Sequence, residues 1–284
     1  MTPAEATLPV AWGQLAALRV ERPGAPRVIA LHGWLDNAAS FLPLLTHLPP
    51  LDLALLDFPG HGRSTHLPPG AEYLMPTYVH AVLDAADALG WERFALLGHS
   101  MGAAVAAMVA VAQPQRVARL GLIETVGPLA EDETAAPERL RQAVGAARAL
   151  RGKSLRVFPD PGVAVRARLH ASPMEEAAAR LLVERGIRPV EGGHVWSSDP
   201  RLTLPGAQRM TEGQVQALLR ALECPVHAVL ARKAQPYFPE DVRAARLAVL
   251  PRAEVTVLDG GHHLHMDRPA EVAAALGPFL AVAG

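Results

Sequence analysis

Short apolar runs bounded by turn residues alternate with stretches of helical periodicity along most of the chain, a rhythm that predicts βα units and a mostly parallel sheet. Residues 8–20, broken at Gly13, read as an opening hairpin. Residues 27–31 and 51–56 are continuous apolar runs, as expected of strands covered on both faces. A short helix over 41–48 lies between them, and an amphipathic helix over 78–89 stops at Gly90. Strands follow at 93–97 and 117–123, separated by an alanine-rich helix over 103–112 that closes before Pro114. The pattern returns with strands at 226–230 and 254–258, a helix near 240–250 and a closing helix from Pro269. Between Pro128 and Arg220 the strand signal vanishes, and the stretch is helical, charged and punctuated by prolines. The expectation is an α/β core in two pieces, 1–127 and 221–284, with a helical cap inserted over 128–220.

Composition narrows the partners. With 284 residues, half of them hydrophobic, the chain is long enough for one large core and short for two independent catalytic domains. Lys and Arg number 27 against 28 Asp and Glu, so no basic face for nucleic acid is implied and a small-molecule substrate is expected. The single cysteine, Cys224, excludes an intramolecular disulfide framework and reads as a buried strand residue. No cationic segment followed by an apolar one marks the start, and no run is long and apolar enough to span a bilayer. No membrane association and a cytoplasmic location are the corresponding expectations.

The stretch that carries chemistry is Gly98-His99-Ser100-Met101-Gly102, a G-x-S-x-G pattern between a predicted strand and a predicted helix. A serine on so sharp a turn needs small neighbours, because the following helix passes close to the strand. Its hydroxyl is a weak nucleophile at neutral pH and needs a base, usually a histidine oriented by a carboxylate. Gly260-Gly261-His262-His263-Leu264-His265 lies between the last strand and the last helix, where His262 is the expected base and His263 and His265 its competitors. No H-E-x-x-H pattern or cysteine pair supports zinc at these histidines, so neither metal nor cofactor is expected. His32-Gly33-Trp34 follows the strand at 27–31, which makes the backbone N–H groups of Trp34 and Met101 the candidate oxyanion donors. Asp57-Phe58-Pro59-Gly60-His61-Gly62-Arg63-Ser64 lacks the ending of a phosphate loop and reads as a structural turn, with Asp57, His61 and Arg63 holding loops.

Taken in order, His32-Gly33-Trp34, Asp57 to Gly62, Gly98 to Gly102 and Gly261-His262 resemble the α/β-hydrolase superfamily over nearly the whole chain. Gly33-Trp34-Leu35-Asp36-Asn37 and the stretch 64–73 are similar, more particularly, to its serine hydrolase-like proteins. The resemblance implies the α/β-hydrolase fold: an eight-stranded, mostly parallel sheet with helices on both faces and a helical cap after the sixth strand. It also implies a Ser-acid-His triad that needs no cofactor. At the acid this sequence departs from the common pattern, because residues 229–235 hold no aspartate and Gln235 falls about where one belongs. In some members of the superfamily the acid follows the sixth strand, and Glu124 stands at that place; Asp241, or Glu240 beside it, is the alternative. Asp259, three residues before His262, is too close in sequence to approach the ring easily.

The expected activity is hydrolysis of a small carboxylic ester through an acyl-enzyme on Ser100. Cofactor-free haloperoxidase or acyltransferase chemistry on the same triad, or a binding protein with a weak triad, are the alternatives. Trp196, Met174, Leu181, Leu182 and Val195 are read chiefly as packing in the cap, with an apolar pocket wall as the second reading, while Arg166, Arg168, His170 and His194 are read as solvated.

Overall fold

In the computed structural model, which describes residues 2–150 and 156–282, the chain opens with an antiparallel hairpin of β1 (Ala4–Val10) and β2 (Gly13–Val20). Then come β3 (Arg27–Leu31), a 3₁₀ helix over Ala38–Thr46, β4 (Asp52–Leu56), α1 (Met75–Ala88), β5 (Phe94–His99), α2 (Met101–Ala112) and β6 (Val117–Ile123). The 3₁₀ helix starts earlier than the apolar pattern indicates, because the Asn37 side chain caps it by accepting from the Ala39 amide.

Residues 128–220 lie between strands of the main sheet. They carry α3 (Ala136–Leu150), α4 (Pro161–Ala171), α5 (Glu176–Gly186), the hairpin β7 (Ile187–Val190) and β8 (Gly193–Trp196), and α6 (Glu212–Arg220). The hairpin corrects the purely helical expectation for this stretch. Each of its strands has four residues, and Pro189 weakens the strand pattern, which a two-stranded ribbon tolerates because every strand is an edge. The chain returns with β9 (Val226–Ala231), α7 (Glu240–Ala248), β10 (Ala253–Leu258), the single turn α8 (Leu264–Asp267) and α9 (Pro269–Leu280). Cys224 is buried as expected but lies in the turn before β9 rather than in the strand.

The eight strands of the main sheet run in the order β1-β2-β4-β3-β5-β6-β9-β10, and all pairings from β4 to β10 are parallel. Period two explains the layers. In β3, Ile29 and Leu31 join a core with α1 and α2, whereas Val28 and Ala30 join a second core with the 3₁₀ helix and α9. Because β3, β5, β6, β9 and β10 point the same way, their carboxyl ends gather along one edge. That edge is where ligands bind in open parallel sheets.

The insertion has a small core of its own, with Phe158, Val165 and Val183 buried and Trp196 edge-on to Phe158 at 5.4 Å. Leu182 and Met174 pack on Met266 of α8. A buried ion pair bolts it to the sheet: Arg185 of α5 donates to Asp57, whose carboxylate also accepts from the amides of Ala38 at 2.7 Å and Arg63 at 2.9 Å. Removing Asp57 takes from the buried Arg185 its inner partner, leaving only the half-exposed Glu5, and takes from two amides their acceptor, so Asp57→Ala is expected to cost about 3–5 kcal/mol in urea unfolding. A loss below about 1 kcal/mol would contradict this role for Asp57.

Candidate active site

At the end of β5 the chain turns sharply into α2. Ser100 holds φ +52° and ψ −118°, a strained conformation for a residue with a side chain. The turn works only because its flanks are glycines: a Cβ on Gly102 would run into the carbonyl of Leu31, and one on Gly98 would sit 2.5 Å from the Ala103 backbone. This close approach also sets the backbone of 32–34 beside the first turn of α2. Met101 is the first residue of that helix, so its amide has no acceptor within the helix. The Trp34 side chain is half exposed, and its Nε1–H donates to the carbonyl of Leu202 in the insertion at 2.8 Å. The indole therefore clasps the insertion rather than filling the core.

One strand over, β6 is followed directly by Glu124, which also has a positive φ of 65°. Leu35, Ser100 and Glu124 are the non-glycine residues with positive φ among the described residues, and each follows the end of a central strand. Glu124 is fully buried. Its Oε1 accepts from the amide of Ala231, and its Oε2 has no hydrogen-bond partner and lies 3.5 Å from His262 Nδ1. The structure therefore brings Glu124 to His262. Asp241, by contrast, is exposed in the first turn of α7, and Asp259 is exposed and paired with Arg232. Among the described residues the Ser100 hydroxyl makes no hydrogen bond, and the His262 ring instead meets the hydroxyl of Tyr237, 3.1 Å from Nδ1 and 3.3 Å from Nε2.

Tyr237 is a contact that sequence reasoning missed. It sits two residues beyond Gln235, just past the stretch where an acid is expected, and carries no charge to mark it. Burial first, then the nearby Glu124, pushes its phenol up to about 12, so it stays a neutral hydroxyl at ordinary pH.

Behind the serine and the histidine lies a buried polar cluster. Asp36 is ion-paired to Arg168 of α4 through Oδ1, while its Oδ2 faces His99 Nδ1 at 3.6 Å and His263 Nε2 at 3.5 Å. Arg168, expected in solvent, is thus a largely buried partner of the core. Burial raises the Asp36 carboxyl, but His263, His99 and Arg168 outweigh it and hold it well below the usual carboxylate range. Asp36, His99 and His263 are the one trio of possible ligand atoms within 4.8 Å of one another among the described residues. The guanidinium of Arg168 already neutralises the only carboxylate of the trio, so an added cation would meet a like charge, and we assign no metal there.

His32 and His61 pack under the same edge. His32 Nδ1–H donates to Gly33 O at 2.7 Å and its Nε2 accepts from the Phe58 amide at 3.0 Å, an arrangement only the neutral ring satisfies. Burial lowers His32 to about 4 and His61 to about 3 from an ordinary 6.5. Unfolding exposes both rings, which then take up protons more readily than the folded chain. Stability is therefore full above pH 6.5 and falls as pH drops from there towards 4. The urea midpoint is expected to decline across that window, and a constant midpoint would contradict the neutral, buried assignment.

Residues 26–269 match the alpha/beta hydrolase fold family. The chain belongs to that family. This alpha/beta hydrolase is 31% identical to a serine hydrolase-like protein of Danio rerio, over 97% of this chain and 88% of that one. It is 28% identical to the lipase LipV of Mycobacterium tuberculosis, over 89% of this chain and 92% of the lipase. A solved hypothetical protein from Pseudomonas aeruginosa PAO1 superposes with a TM-score of 0.92 at 43% identity, covering 98% of the hydrolase and 99% of that chain. No helix among the described residues is long and apolar enough to cross a membrane.

Proposed function

We propose that this hydrolase cleaves small carboxylic esters through Ser100, His262 and Glu124. The observation that carries the reading is the buried Glu124 carboxylate, with one oxygen anchored by the Ala231 amide and the other free and turned to His262 Nδ1. A carboxylate placed there keeps the Nδ1 proton on its own side of the ring and stabilises the imidazolium formed when Nε2 accepts a proton. Ser100 attacks the ester carbonyl as His262 takes the hydroxyl proton. The negative charge then developing on oxygen is met by the N–H groups of Trp34 and Met101. Donors of this kind are worth about 2.7–4 kcal/mol each in the transition state. His262 passes its proton to the leaving alcohol, and water activated by the same ring releases the acid.

A kinship to a lipase supports the ester reading, as does the strained serine, since such strain concentrates at functional sites. The test is a panel of p-nitrophenyl and carboxyl methyl esters, with fluorophosphonate labelling alongside. Turnover of short esters together with one labelled serine per chain is the expected outcome. A folded protein that neither turns over an ester nor takes the label overturns the proposal.

A further inference from the structure

Asp36 takes no part in the proposed reaction, yet it reaches both halves of the site and the insertion. His99, 3.6 Å from its Oδ2, immediately precedes Ser100; His263, 3.5 Å away, immediately follows His262. His99 Nε2–H donates in turn to the backbone carbonyl of His262 at 2.9 Å. One imidazole thus ties the strand that carries the serine to the loop that carries the histidine. The packing leaves no slack, for a Cβ on Gly33 would stand 2.9 Å from both Asp36 Oδ2 and His99 Nδ1. On its outer side Asp36 is held by Arg168, from α4 of the insertion.

We propose that Asp36 is a positioning residue through which the docking of the insertion, by way of Arg168, sets the placement of His262 relative to Ser100. The inference rests on the serine-hydrolase reading above. Without Arg168 the carboxylate keeps its charge in a buried site faced only by imidazoles. It must then draw His263, the chain neighbour of His262, closer or take up a proton and donate it to the bare Nδ1 of His99, and either change shifts the loop that carries His262. A misplacement of about 1 Å in a catalytic group costs on the order of 10²-fold in rate. The Arg185–Asp57 pair binds the same insertion to the same core, but Asp57 touches Ala38, Arg63 and Arg185, none of them beside Ser100 or His262 in the chain. Among the described residues Arg185 itself pairs only with Asp57 and Glu5, so it supplies a control that loosens docking without direct contact with Asp36, His99 or His263.

The experiment compares Arg168→Met, Arg168→Lys and Arg185→Met in the full chain, at a temperature below all their unfolding midpoints. It reads kcat and KM on a p-nitrophenyl ester, the rate of fluorophosphonate labelling, and the titration of the His262 ring by NMR. Arg168→Met is expected to lose roughly 10- to 100-fold in kcat and labelling rate with KM nearly constant, and to shift the His262 titration. Arg168→Lys should recover most of the loss, because an ammonium still reaches Oδ1. Arg185→Met should lower the unfolding midpoint at least as far while holding kcat within about threefold of the parent. Loss of kcat in step with the midpoint in both methionine variants, or an unchanged kcat in Arg168→Met, overturns the inference. If the parent neither turns over nor labels, the hydrolase reading fails by itself, and the ring titration still decides: an unmoved His262 signal in Arg168→Met overturns the positioning role.

Discussion

Ser100→Ala is expected to abolish ester turnover and fluorophosphonate labelling together, a loss on the order of 10⁴- to 10⁶-fold in kcat. The size follows from the division of labour proposed for the site. Without the hydroxyl there is no acyl-enzyme, and what survives is binding plus the two amide donors at the oxyanion position, which help water only modestly. Alanine also keeps the elbow's backbone. The amide of residue 100 donates to Ile123 O at 2.9 Å and its carbonyl accepts from Ala103 N at 2.9 Å, bonds that require no side chain. The strained φ remains, so the unfolding midpoint should stay near that of the parent. Turnover at the parent's rate in a folded Ser100→Ala protein would remove the serine from the mechanism.

Glu124→Gln should cost about 10⁴-fold in kcat, and the reason lies in the two oxygens of the carboxylate. Oε1 accepts from the Ala231 amide, so the glutamine must leave its carbonyl oxygen there. Its NH₂ group then occupies the Oε2 position and points at His262 Nδ1. A donor facing Nδ1 forces the ring proton onto Nε2, the nitrogen that has to accept the serine's proton. The variant is therefore nearly isosteric and folded but carries the wrong tautomer. Asp241→Asn, on the exposed first turn of α7, should change kcat by less than about twofold. Steady-state kinetics on the two purified variants settle the ranking, and the reverse order would move the acid to Asp241.

Much of this architecture was legible from hydrophobic spacing, because strands covered on both faces leave short apolar runs that the turn residues flanking them mark off from helices. The 27–31 and 117–123 runs coincide with β3 and β6 in the structure. The elbow was legible for a different reason: its geometry tolerates so few side chains that the glycines announce it. The insertion was harder. The β7–β8 hairpin is short, proline-bearing and paired only with itself, so its pattern competes poorly with the helical stretches around it. Arg168 shows the limit most plainly, since nothing in an arginine's chain neighbours indicates that its guanidinium ends on a carboxylate 132 residues earlier. Tyr237 carries no signal of its own, because a neutral phenol in a loop belongs to no charge or spacing pattern.

On the proposed assignment of the acid to Glu124, the loop over 232–239 has no carboxylate to supply to His262. Its hold on the site is one phenol against the edge of His262. With Tyr237 kept, exchanging the rest of this loop would reshape the approach to Ser100 while leaving the proposed Glu124–His262 pair in place, so it is the natural segment in which to build libraries for new acyl or alcohol preferences.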